Sequence, residues 1–125
     1  MAVPILKQGS VLIASIQTAL TDTDVLQLRE DVMGQVTRHR SRGIIVDVTA
    51  LDVMDSFVSR SLRGMAQMTR LRGAETVIVG IQPEVAFAMV QLGMNFEDVH
   101  TALDLEEGLA FLQRQVNGEN EASGG

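Results

Sequence analysis

The sequence contains no cysteine, no tryptophan and no tyrosine, and only four phenylalanines, two histidines and one lysine, Lys7. Each shortage removes a class of function. Without cysteine there are no disulfides, thiolate metal sites or cysteine nucleophiles. His39 and His100 lie far apart with no metal-spaced companion, so no metal site is expected. So few aromatic rings leave little platform for stacked bases, and a net charge of −6 repels phosphate backbones, so nucleic acid is not an expected partner. No G-x-x-x-x-G-K-[ST] run occurs, which removes the common phosphate-cradling loop of nucleotide enzymes. No stretch approaches the roughly 18 apolar residues that span a bilayer, and the first residues lack a basic segment followed by an apolar one. The expectation is a cytoplasmic protein without membrane segment, cofactor, metal or catalytic residues of its own.

What is present suits a core: 125 residues, 46% of them hydrophobic, enough for one domain. Ile5 and Leu6 read as a short edge strand broken at Gly9, and residues 11–16 as a second strand able to pair with it. Residues 21–24 (TDTD) form a cluster of helix-capping side chains. Val25, Leu28, Val32 and Val36 follow at helical spacing, Arg38, His39, Arg40 and Arg42 supply cations at the end, and Gly43 is the expected stop. Residues 44–48 are apolar on both faces, as in a sheet-centre strand covered by helices. A second helix opens at Ser56, carries Phe57, Leu62, Met65 and Ala66, and ends near Gly73.

Residues 76–81 form another buried-type strand, and Pro83 fits the first turn of a third helix with Val85, Met89 and Leu92 inward. Residues 99–103 make a weak last strand. Asp104 and Glu107 stand at capping-box spacing before a helix carried by Leu105, Leu109 and Leu112 to about Val116. This order implies an α/β fold: one domain over residues 1–117, a mixed and mostly parallel sheet of about five strands packed with four helices. Residues 118–125 have nothing to bury and are expected to be disordered. The seven methionines read as core gap-fillers. Gly34, Gly64 and Gly108 fall inside helices, each costing about 1 kcal/mol against alanine, and mark close packing either within the domain or at an assembly contact.

One segment carries chemistry. Residues 47–57 (DVTALDVMDSF) place Asp47, Asp52, Asp55 and Ser56 between a central strand and a helix, where α/β sheets meet their ligands. A phosphoacceptor aspartate in a magnesium pocket, as in response-regulator receivers, needs a second acidic cluster and a lysine near the last strand; Lys7 stands at the wrong end. Two compatible readings remain. Ser56 is a helix N-cap, or its hydroxyl is a phosphorylation switch placed where free N–H groups and the helix dipole attract an anion. A phosphate there adds about 1.5 to 2 negative charges beside Asp52 and Asp55. From Ser56 the helix holds Arg60, Arg63, Arg70 and Arg72 and no acid before Glu75. Arg70 and Arg72 suit a helix C-terminus, whereas Arg60 and Arg63 sit where the dipole does not call for cations and are candidates for partner contact.

At this segment the chain resembles a known family. Asp55-Ser56 at a helix start is similar to the phosphorylation motif of STAS-domain anti-sigma-factor antagonists. Residues 5–7 (ILK), 15–17 (SIQ), 52–57 (DVMDSF), 80–83 (GIQP) and 101–106 (TALDLE) together resemble the stressosome-scaffold, RsbS-type branch, over residues 3–116. The resemblance implies a STAS fold and a non-enzymatic scaffold that self-associates and co-assembles with RsbR-type paralogues. It also implies an RsbT-type serine kinase that is sequestered and then released when Ser56 is phosphorylated, and an RsbX-type phosphatase that resets it. Asp52, Asp55, Phe57, Arg60 and Arg63 are the implied kinase or partner contacts. In simple soluble antagonists, which bind an anti-sigma kinase directly, the serine is followed by Ser or Thr and then Gly; Phe57 and Val58 stand here instead. That departure favours the scaffold branch. Whether Thr49 or Ser59 is a further acceptor stays open.

Overall fold

The computed structural model describes residues 3–93 and 99–124, with side chains as far as Val116. Strands β1 (Ile5–Gln8), β2 (Val11–Ser15), β3 (Gly43–Asp47), β4 (Glu75–Val79) and β5 (His100–Ala102) form one sheet in the order β1-β2-β3-β4-β5. The opening hairpin is antiparallel, with Ile5 opposite Ala14, and turns at Gly9 with φ +61°. All later pairs are parallel, Ile13 facing Ile45 and Ile45 facing Val77. Helices α1 (Asp22–His39), α2 (Ser56–Leu71), α3 (Pro83–Gln91) and α4 (Leu105–Gly124) each follow one parallel strand. The expected α/β architecture of five strands and four helices is what the chain adopts. No helix among the described residues is long and apolar enough to cross a membrane.

Side chains of successive strand residues point to opposite faces, and this sorts the core into two layers. Leu12, Ala14, Ile44, Val46 and Ile78 meet Val25, Leu28, Val32 and Val36 of α1, Val58, Leu62 and Met65 of α2, and Val85 and Met89 of α3. Ile13, Ile45, Val77 and Val79 meet Leu112 of α4 on the other face. Burial on both faces is why residues 44–48 read as continuously apolar. Met54, Met65 and Met89 are buried as core fillers, Met68 is 40% exposed, and Met94 lies outside the described residues.

Several boundaries differ from expectation for local reasons. Gly43 does not stop α1; Arg40 does so in the left-handed conformation, φ 52°. Gly43 instead opens β3, where an added Cβ would sit 2.8 Å from Leu112 Cδ1 of α4. Leu92 is not on an inner face: α3 ends one residue earlier, and Leu92, off the helical track, is 62% exposed. The α4 backbone continues to Gly124, past the expected end near Val116, and the tail expected from residue 118 falls beyond the described side chains. Its start carries half of the expected box, Glu107 N donating to Asp104 at 2.9 Å, while the Glu107 carboxylate accepts from Leu103 N at 3.2 Å.

The helix glycines divide. A Cβ on Gly108 would lie 2.8 Å from Val79 Cγ1, so this glycine lets α4 approach β4 closely, whereas Gly34 and Gly64 have nothing within 4 Å of theirs. Gly108→Ala is therefore expected to destabilise by about 1 to 3 kcal/mol through overpacking. Gly64→Ala should stabilise by about 0.5 to 1 kcal/mol through reduced unfolded-state freedom. Urea titrations of both variants in parallel check the contrast, and equal midpoints would contradict it.

Candidate functional site

The β3–α2 connection leaves the carboxyl end of the middle strand and is pinned at four points. Leu51 N donates to Val48 O at 2.9 Å, closing a turn, and Leu51 and Met54 are buried as anchors. Between them Asp52 is exposed and Val53 is 67% exposed. Alternating burial thus makes residues 52–53 a raised tip held down at both ends.

The third point is a clamp. Asp47 Oδ1 accepts from Thr49 N at 2.9 Å and from Thr49 Oγ1 at 2.6 Å. Gln82 Nε2, from the β4–α3 connection, donates to Thr49 O at 2.7 Å. Gln82 is the N-cap of α3 and makes no side-chain cap bond there, its amide being turned across to the neighbouring loop. Gly80, at φ +78°, faces Thr49 so closely that a Cβ would overlap the Thr49 side chain. In the sequence Asp47 stands as one of several loop acids, and no spacing joins Thr49 to Gln82. An Asp-x-Thr after one central strand and a Gly-x-Gln-Pro after the next were the available signals.

The fourth point is the start of α2. Asp55, extended at φ −77° and ψ 173°, is the N-cap, and its carboxylate accepts from Val58 N at 2.8 Å. This corrects the N-cap reading of Ser56. Asp55, one residue earlier, has the extended backbone and an acceptor reaching the third helical N–H, so Ser56 becomes the first helical residue with a half-buried side chain. Freed from capping, the Ser56 hydroxyl stands beside the helix end that attracts anions.

Asp52, Asp55 and Ser56 are thus gathered at one loop–helix junction, and Arg60 and Arg63 continue the Ser56 face of α2 at four and seven residues on. Arg60 is exposed and Arg63 half-buried. Phe57 is partly buried and packs against the core, so only part of its ring is available to a partner. Of the two further hydroxyls, Thr49 Oγ1 is held by Asp47, and Ser59 is 1% exposed with no hydrogen-bond partner for Oγ. A buried unpartnered hydroxyl costs rather than contributes. Ser59→Ala is expected to leave stability unchanged or raise it by about 1 kcal/mol, read from a denaturant midpoint; a marked loss would contradict this.

The family model for the STAS domain matches residues 2–108. The chain belongs to the STAS domain family. A serine-to-glutamate variant of RsbS from Moorella thermoacetica superposes on this STAS domain with a TM-score of 0.80 and 33% identity, over 92% of this chain and 97% of that one. A chain from the molecular architecture of the stressosome, described as a signal integration and transduction hub, gives a TM-score of 0.78 and 34% identity, over 90% and 98%. The RsbT co-antagonist protein RsbRA of Bacillus subtilis is 31% identical over 83 residues, 66% of this chain and 30% of that protein. This STAS chain spans about three tenths of the length of the RsbR proteins it matches. Its likeness runs to both RsbS and RsbR proteins, and its fold is that of stressosome STAS proteins.

Proposed function

We propose that this chain is a non-enzymatic scaffold and phospho-switch of a cytoplasmic stressosome-type assembly. It self-associates, joins RsbR-type paralogues, and holds an RsbT-type serine kinase until Ser56 is phosphorylated; an RsbX-type phosphatase removes the phosphate. The observation that carries this reading is the setting of Ser56: first residue of α2, relieved of capping by Asp55, on a pinned loop that carries Asp52 and no cation. The similarity to RsbS and to RsbT co-antagonists supports the same partners.

The chemistry is done to the chain. The Ser56 oxygen attacks the γ-phosphorus of the kinase-bound ATP, the oxygen–phosphorus bond forms as the bond to ADP breaks, and the hydroxyl proton passes to the kinase. The product dianion lies at the positive end of α2 with Arg60 one turn on, so the fold tolerates it. A partner reading the Asp52–Asp55 rim meets a far more negative surface. Asp52, Asp55, Arg60, Arg63 and the outer part of Phe57 form that contact face.

Mass spectrometry after incubation with ATP and the cognate kinase is expected to place one phosphate on Ser56 and none on Ser56→Ala. Stoichiometric phosphorylation of Ser56→Ala at another residue would sink the assignment.

A further inference from the structure

Charge is segregated between the two ends of this domain. Because β2 to β5 are parallel and each is followed by a helix, the four strand carboxyl ends and the four helix N-termini gather at one pole. Asp22, Asp24, Asp47, Asp52 and Asp55 lie there on the β2–β3 side, and Glu84, Asp104, Glu106 and Glu107 on the β4–β5 side. No lysine or arginine falls in residues 16–24, 47–57, 80–84 or 102–107.

The opposite pole is basic. The C-terminal ends of α1 and α2 bring Arg38, Arg40, Arg42, Arg70 and Arg72 together, with Glu75 3.7 Å from Arg70. Arg40, Arg42 and Arg72 line one cavity of about 570 Å³ between the end of α1, the start of β3 and the end of α2. Glu97 and Asp98 lie outside the described residues, and Glu119 and Glu121 of the last part of α4 lie beyond the described side chains.

Complementing helix dipoles does not exhaust these charges. A helix end is worth about half an elementary charge, so four N-termini offset about two of the acids and two C-termini about one of the arginines. Among the described side chains, both poles keep most of their sign.

We propose that the basic pole is a docking surface for the acidic pole of a second copy of this chain, joined head to tail. This rests on the assembly half of the function proposed above. It assigns the contact to Arg40, Arg42 and Arg72 on one copy and to Glu84 and Glu106 on the next, leaving the Asp52–Ser56 half of the acidic pole to the kinase. A nucleic acid would also suit arginines, but the net charge of −6 opposes a polyanion, whereas a second copy brings a complementary surface of its own. Head-to-tail contact leaves one free pole on each end, so it propagates into rings or open chains, as a scaffold requires.

Sedimentation velocity at about 50 mM and about 500 mM salt tests this. The wild-type chain is expected to self-associate at low salt and to dissociate at high salt. Arg40→Glu/Arg72→Glu and Glu84→Arg/Glu106→Arg should each associate at least about tenfold more weakly, and an equimolar mixture of the two should recover a complex. Arg40→Gln/Arg72→Gln, which avoids reversed charge at helix ends, should weaken association in the same direction, with circular dichroism confirming its fold. Association that ignores salt and all these substitutions, or a mixture no better than its parts, overturns the inference while leaving Ser56 phosphorylation intact. A wild-type chain monomeric at both salts, alone and with an RsbR-type paralogue, overturns the inference and the scaffold reading together. Binding of a labelled oligonucleotide at the arginines in place of self-association also overturns it.

Discussion

Gly80→Ala is expected to lose about 2 to 5 kcal/mol of stability, a large share of what a domain of this size possesses. Two independent costs add. At φ +78° an L side chain is strained by about 1 to 3 kcal/mol, and the new Cβ would overlap the Thr49 side chain, which the clamp prevents from turning aside. Thr49 cannot yield cheaply, because its hydroxyl and amide both donate to Asp47 and its carbonyl accepts from Gln82. The double variant Gly80→Ala/Thr49→Ala should therefore recover part of the loss, the part due to the overlap with the Thr49 hydroxyl, and leave both the backbone strain and the close approach to Thr49 Cβ and Cα, which alanine keeps. Denaturant curves of the two single variants and the double variant form a cycle that measures this coupling. Strict additivity would mean that the two loops do not press on each other as described.

Ser56→Asp is expected to weaken kinase binding by tenfold or more, while Ser56→Ala retains it. The added carboxylate stands next to Asp55, which is committed as the α2 cap, and close along the loop to the exposed Asp52. A kinase face that accommodates the existing acids must then desolvate one more like charge. At separations of about 4 Å such a charge is worth from about 1 kcal/mol in water to about 4 kcal/mol near a protein surface, a range that brackets the roughly 1.4 kcal/mol of a tenfold loss and reaches well beyond it. Alanine adds no charge, and at the first helical position it costs the helix nothing, since Asp55 does the capping. Titration calorimetry with the kinase at moderate salt, run on both variants, reads the difference. Equal affinities would show that the kinase does not read charge at this position.

Much of this was legible along the chain. Short apolar runs and period-3.6 apolar patterns placed the five strands and four helices of the described residues, and the run of residues 44–48, apolar on both faces, announced a central strand. Asp55-Ser56 after that strand marked the junction where the candidate site lies. These features are local: which residues can cap, turn or alternate depends on neighbours a few positions away, so a linear reading captures them.

Other features needed the third dimension. Whether Asp55 or Ser56 caps α2 depends on one backbone conformation, since both side chains are good acceptors. The Asp47–Thr49–Gln82 clamp joins residues 33 positions apart, across adjacent strands, and no spacing rule connects them. Gly34, Gly64 and Gly108 look alike in sequence, yet of these Gly108 alone faces a strand so closely that a methyl group would force a shift, because contact is set by packing distance rather than by helical position. The same holds for charge. Composition alone determined a net −6, the absence of any thiol and a shortage of histidine, lysine and aromatic side chains. Only the parallel sheet decided that acids collect at one end and arginines at the other, because parallel strands bring every helix start to the same pole.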